Sequence, residues 1–363
     1  MNIVTAWFRR VLTDPQAVIL IVLLMLASAV ILLMGQMLTP VIASIVIAYL
    51  LEGLVDIFCR WRLPRLAAVI VVFILFSTFV LFIIVGLLPL ISSQLSQLVQ
   101  ALPSMLFKGQ ALLQSLPSKY PTFINAEQVN QLIEAAKREA GNLGQYIVSW
   151  SLASVMGFIT MTIYLVLVPL LVFFFLKDRD AILKWFSRFL PQDYSLAKKV
   201  WHEVDWQMSN YVRGKFWEVV IVWSASFVTF TFMNLQFAML LGLMVGLSVI
   251  VPFVGAVLVT IPVAGVALYQ WGWSSEFMWL MVAYTIIQAL DGYILIPLLF
   301  SEVVDLHPIA IIVAILVFGG IWGFWGVFFA IPLATVVQAV LKAWPRRPDL
   351  DNLMREAPPI APD

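Results

Sequence analysis

The chain has 363 residues, of which 63% are hydrophobic and only 11% charged. Soluble domains carry about 25% charge, so a mean hydropathy of +1.01 excludes a fold surrounded by water and makes lipid the main solvent. A net charge of +1 gives no field for nucleic acid, and the single cysteine, Cys59, excludes an internal disulfide and any cysteine-rich metal centre.

A helix needs about 20 apolar residues to cross a hydrocarbon core of about 30 Å. In chain order, the segments 17–34, 41–58, 66–91, 152–176, 217–233, 237–269, 277–300 and 308–341 qualify. Arg9 and Arg10 precede the first of these, but "VILLM" runs on past Ala27-Ser28-Ala29 with no polar cleavage region. A retained helix is expected there rather than a removable leader. The fold class is therefore an all-α integral membrane protein with about eight transmembrane segments.

Basic residues orient the spans. Arg9, Arg10, Arg60, Arg62, Arg65, the eight within 177–215, and Lys342, Arg346, Arg347 and Arg355 all fall on one side if the spans alternate. Only Lys108, Lys119, Lys137 and Arg138 fall on the other. Both termini are expected in the cytoplasm, with Cys59 there and reduced. The chain then divides into a three-helix membrane part (1–91), an extracytoplasmic helical region (92–150), a fourth membrane helix (151–176), a cytoplasmic amphipathic region (177–215), a membrane core (216–341) and a cytoplasmic tail (342–363). The external region reads as short helices broken at Pro103, Pro117 and Pro121, then a polar helix over about 126–140. In the internal region, Leu196, Val200, Val204, Met208 and Val212 recur every four residues and predict an amphipathic helix. Its stripe can pack on its own protein, on a second subunit or on the membrane surface.

Two segments are too long for one crossing. At 1.5 Å per residue, 237–269 and 308–341 would each run about 50 Å as straight helices, against a core of about 30 Å. Each carries helix breakers: Pro252, Gly255 and Pro262 in "VPFVGAVLVTIPVAGV", and Gly319, Gly320, Gly323, Gly326 and Pro332 in "FGGIWGFWGVFFAIPLATV". Both place Ile-Pro six or seven residues after a glycine, from Gly255 to Pro262 and from Gly326 to Pro332. Broken helices in matching places point to a transporter's binding site; glycines that merely let helices approach would look the same. Either both segments cross as bent helices, or both re-enter from opposite faces. The two topologies differ in the side on which "WGWSSE" (271–276) lies.

The seventh segment, "AYTIIQALDGYILIPLLF", holds one ionisable residue, Asp291, with Gln288 a turn before it and Tyr293 just after. An aspartate at mid-bilayer costs roughly 2.5–3.5 kcal/mol on an insertion scale. Asp291, Gln288 and Tyr293 are thus candidates for a proton, ion or solute site, with interhelical packing as the structural alternative. Glu52 and Asp56 stand one turn apart near the inner end of the second segment, as a possible inner gate or as charges facing Arg60, Arg62 and Arg65. Arg213 and Lys215 read as inner-face anchors, with Glu218 within reach of either. Trp271, Trp273 and Trp279 read as an interfacial belt, and Trp322 and Trp325 as packing residues. His202 and His307 lack metal-ligand spacing, and no G-x-x-x-x-G-K-[ST] loop is present. No metal, cofactor or ATP is expected, nor is an enzymatic constellation evident.

Together, "VPFVGAVLVTIPV", "IIQALDGYILIP", "LHP" and "FGGIWGFWGVFFAIPLA", with "FFLKDRD" and "YVRGK", resemble the autoinducer-2 exporter family, and most of all its PerM-type permeases. The matching positions are Pro252, Gly255, Asp291, Pro297, Pro308, Gly319, Gly320, Gly326 and Pro332. The resemblance implies a multi-pass bacterial inner-membrane permease, homo-oligomeric, acting on small solutes or ions. Members have been linked to export of autoinducer-2 and others to sodium/proton exchange. The expected function is secondary transport, with cation antiport and a non-transporting scaffold as alternatives.

Overall fold

The computed structural model describes residues 15–119, 154–188, 195–252, 254–300 and 307–343, together with isolated positions between 127 and 138. Among them every regular element is a helix. Side chains that are apolar all round suit a lipid surface, and helices satisfy all their backbone groups internally, as a bilayer demands.

The first helix, α1 (Pro15–Arg60), runs through both of the first two apolar segments. Pro40 lies inside it, and Ser44 Oγ donates to the Pro40 carbonyl at 2.6 Å. A turn with Arg62 at φ +69 leads to α2 (Arg65–Phe82), which passes through a π-helical segment, Ile83–Leu87, into α3 (Leu88–Lys119). Proline at 103 and 117 does not break α3, contrary to the sequence expectation. Side chains along its length are held by later parts of the chain, and such tertiary contacts override local propensity. The polar helix expected over 126–140 lies for the most part outside the described residues.

Helix α4 (Ser154–Lys177) is followed by α5 (Arg179–Ser187), the path bending by 77° between them. Then come α6 (Ser195–Phe232), α7 (Ala238–Ser248), α8 (Val254–Trp271) and α9 (Ser275–Leu290). Helix α9 continues through a π segment, Asp291–Leu295, into α10 (Ile296–Phe300). The last helices are α11 (Pro308–Phe328) and α12 (Ala330–Ala343). Six described helices are long and apolar enough to cross a membrane, or seven with the bent α4–α5 pair. Val18–Val30 and α7 are shorter apolar helices. That inventory agrees with about eight segments.

Both over-long segments fold back on themselves. In the first, α7 and α8 pack together, and the Gln270 side chain near the end of α8 reaches the residues just before α7. Its Nε2 donates to Asn234 O at 2.8 Å, and its Oε1 accepts from Gln236 N at 2.8 Å. The two ends of the segment therefore meet. In the second, Gly323 turns the chain at φ +58 and ψ −133, and α12 packs back along α11. A β-carbon on Gly255 would overlap the carbonyl oxygen of Ser248, and one on Gly326 would overlap that of Phe318. The repeated glycine of the sequence thus marks the close approach that follows each reversal. The hairpin form, rather than the bent crossing, is what the chain adopts.

The chain divides into two compact units, one of residues 36–185 and 209–305, the other of 1–35, 186–208 and 306–363. The larger has two apolar clusters. One joins α1, α2 and α4 through Leu51, Val55, Val69, Val72, Val172 and Leu176. The other gathers α6 to α9 around Val222, Phe230, Leu241, Val245, Val263 and Leu280, with Leu98 and Met105 of α3 packed against it.

Candidate functional site

Helix α6 sorts its residues sharply between two faces. Trp217, Ile221, Val228 and Phe232 are exposed, whereas Tyr211, Lys215, Glu218, Val222, Ser226 and Phe230 form a buried stripe at helical spacing. Three of those buried residues are polar. Lys215 Nζ lies 2.7 Å from Glu218 Oε2, with the two side chains 5% and 1% exposed. The ammonium also stands 5.5 Å from the centre of the Phe300 ring, which packs on Gly214 and Tyr211. Lys215 is therefore not an inner-face anchor. Its stem and charge point into the protein, where Glu218 offsets part of the desolvation.

Asp291 opens the π segment after α9 and is itself buried, 8% exposed. Its charge interacts with that of Lys215, and also with that of Glu218. One carboxylate oxygen, Oδ1, is buried and accepts no hydrogen bond from the described residues. A π bulge widens a helix locally and is frequent at functional sites. Here it falls on the only carboxylate of the segment.

One turn back, Gln288 Nε2 donates to the Tyr284 hydroxyl at 3.0 Å. That hydroxyl is 2.9 Å from Thr260 Oγ1 and 3.3 Å from the carbonyl of Ala256, both on α8. A file of polar groups therefore runs from the first hairpin, through Tyr284 and Gln288, to the turn that carries Asp291. Tyr293 does not join it; it is 85% exposed. Two residues along a helix point to different sides, whereas positions three and four apart share a face. The spacing 284–288–291 places Tyr284 and Gln288 on the same helical face as Asp291.

Glu52 is buried and held by Arg65 at 2.8 Å and Arg179 at 3.5 Å, while Asp56 is exposed. Arg65 also donates to Leu176 O at 3.3 Å, so Glu52 and Arg65 clamp the α4–α5 bend to the α1–α2 turn. Glu52 and Asp56 do not form one cluster. Arg213 lies against Gly53 on a different face of α6 from Lys215. Pro252 sits between α7 and α8, Pro262 lies within α8, and Pro297 is exposed in α10. Pro308 opens α11 behind His307, whose ring accepts from Ile309 N at 3.3 Å. Gly320 meets nothing that a β-carbon would disturb, unlike Gly319 and Gly326. Trp325 stacks on Phe329, a packing role. Among the described residues no group of His, Cys, Asp and Glu is gathered as a metal centre.

The family profile described as AI-2E family transporter matches residues 18–346. The chain belongs to the AI-2E transporter family. It is 42% identical to PerM of Escherichia coli K12, a protein named as a permease, over 95% of this chain and 98% of that one. YueF of Bacillus subtilis 168, named as a transport protein, is 27% identical over 69% of each chain. TqsA of Escherichia coli K12, named as an AI-2 transport protein, is 24% identical over 88% of this chain and 91% of its own. As an AI-2E family member, the chain is a multi-pass membrane transporter of small solutes. The family profile spans both hairpins, the buried Lys215–Glu218 pair and Asp291.

Proposed function

We propose that this AI-2E family chain is a gradient-driven exporter of the bacterial inner membrane, with its solute path alongside the polar file and its coupling charge at Asp291. One observation carries the reading. A buried lysine–glutamate pair and a buried aspartate whose charge interacts with theirs lie within helices that are otherwise lipid-compatible, and one aspartate oxygen has no donor among the described residues. Intramembrane ionisable residues are costly and mark ion or substrate pathways by default. Autoinducer-2 or a similar small polar signal is the candidate cargo, on the strength of the name that TqsA carries.

A second reading, exchange of a cation for a proton, is favoured by that same unpartnered oxygen, an acceptor suited to a positive ligand. Both readings need a path from two sides. With the basic residues of 60–65 and 177–215 inward, chain order opens the α7–α8 hairpin outward. The working unit is a homo-oligomer, as the family resemblance implies. The test is flux in proteoliposomes and inverted vesicles, with proton and sodium gradients imposed separately. Gradient-dependent movement of a small solute or cation is expected; a scaffold gives none.

A further inference from the structure

Helix α4 has 24 residues, about 36 Å at 1.5 Å per residue, and so spans a hydrocarbon core of about 30 Å by itself. Helix α5 is not needed to complete that crossing. Crossing helices tilt by only about 20° on average, so the 77° bend after Lys177 carries α5 close to the plane of the bilayer. The basic residues of 177–215 put this bend at the cytoplasmic face.

Two contacts fix which way α5 faces about its own axis. Arg179 Nη1, at its start, lies 3.5 Å from Oε1 of Glu52, a buried carboxylate about 12 Å back from the end of α1. Arg65 Nη2 donates to the same oxygen at 2.8 Å and to the Leu176 carbonyl at 3.3 Å, so both sides of the bend are tied to one point. The Arg179 face of α5 therefore looks back toward the membrane. Ile182, Leu183 and Phe186 share that face, being three, four and seven residues beyond Arg179. Leu183 and Phe186 are exposed, and Trp185, exposed as well, flanks them. Asp180, Lys184 and Ser187 take the opposite face.

We propose that α5 is an interfacial helix, seated in the cytoplasmic leaflet where headgroups meet acyl chains, and that anionic lipid covers its apolar face. Helices with Trp, Phe and Leu on one side and charge on the other lie in that boundary, buried by about 5–10 Å. The surface is continuous with one that lipid already covers. Val166, Leu170 and Phe174, exposed at helical spacing on α4, bring the lipid-facing stripe to within a turn of the bend. Charge selects the lipid. Residues 177–188 hold four basic side chains against two acidic ones, which suits a leaflet rich in phosphate anions.

The experiment puts a nitroxide on single cysteines at positions 180 to 187, in a Cys59→Ser background. The full chain is held in nanodiscs of phosphatidylethanolamine and phosphatidylglycerol. Collisions with oxygen, which concentrates in lipid, are compared with those of a water-soluble nickel chelate. The oxygen-to-nickel ratio should be about threefold higher at 182, 183 and 186 than at 180, 184 and 187, given the depth of such helices. Leu183→Asp should raise nickel access at 186, and omitting phosphatidylglycerol should lower the ratio there. Should Leu183→Asp fail to fold, Phe186→Asp read at 183 takes its place. High nickel access on both faces overturns the proposal, because α5 then stands in water. Low access of both reagents at 183 and 186 overturns it too, because protein then covers the face. A ratio that does not respond to phosphatidylglycerol overturns the choice of anionic lipid.

Discussion

Gly255 backs directly onto Ser248: a β-carbon at this glycine would overlap the serine's carbonyl oxygen. The pair closes the turn of the α7–α8 hairpin, and a corresponding pair, Gly326 and Phe318, follows the turn of the α11–α12 hairpin. The obstacle in both is backbone, which has no rotamer with which to move aside. Gly255→Ala and Gly326→Ala should each destabilise the protein by more than about 1–3 kcal/mol, the usual range for overpacking. Gly265→Ala and Gly320→Ala meet nothing within 4 Å and should be neutral or slightly stabilising. Unfolding midpoints of the four variants in one detergent check the contrast.

The Lys215–Glu218 pair makes a different prediction. Removing one member of a buried pair costs about 3–5 kcal/mol, because the other charge is left behind. Lys215→Met should show that loss, since it strands Glu218, 1% exposed, near a second carboxylate. Lys215→Met combined with Glu218→Gln should recover much of it. Chemical unfolding of both single variants and of the double variant gives the coupling directly.

Hairpin topology fixes the side of residues 271–276. Because α7 and α8 return to the face they leave, Ser274, the cap of α9, should lie outside the cell. A single cysteine at Ser274, in a Cys59→Ser background, should react with an impermeant maleimide added to intact spheroplasts. Labelling only in inverted vesicles would instead require both hairpins to be crossings.

Much of this was legible in the sequence. The aspartate in "QALDGY" stood out because nothing else in its segment was charged, and the two over-long segments announced their breaks through Pro252 and Gly255 and through Gly323 and Gly326. The charged neighbour of Asp291 was not legible. Lys215 stands beside Arg213 at the start of an apolar run, where position alone suggests an inner-face anchor. Only the phase of α6, with Lys215, Glu218, Val222 and Ser226 on one face, turns it inward. Tyr293 is nearer to Asp291 along the chain, but a helix brings positions three and four apart together, which is where Gln288 and Tyr284 stand. The uninterrupted α1 and α3 were hidden for another reason. Pro40, Pro103 and Pro117 are breakers by propensity, and whether a helix survives a proline depends on contacts that lie far away in sequence.

The central claim is that charge buried at Asp291 couples movement across the membrane to an ion gradient. Its most direct test compares the unaltered chain with Asp291→Asn in inverted vesicles, matched for expression, with a pH-sensitive dye following proton flux as sodium or a candidate solute is added. The account predicts gradient-dependent flux in the unaltered protein and background flux in Asp291→Asn, with both proteins folded and inserted. Equal flux from the two would contradict it.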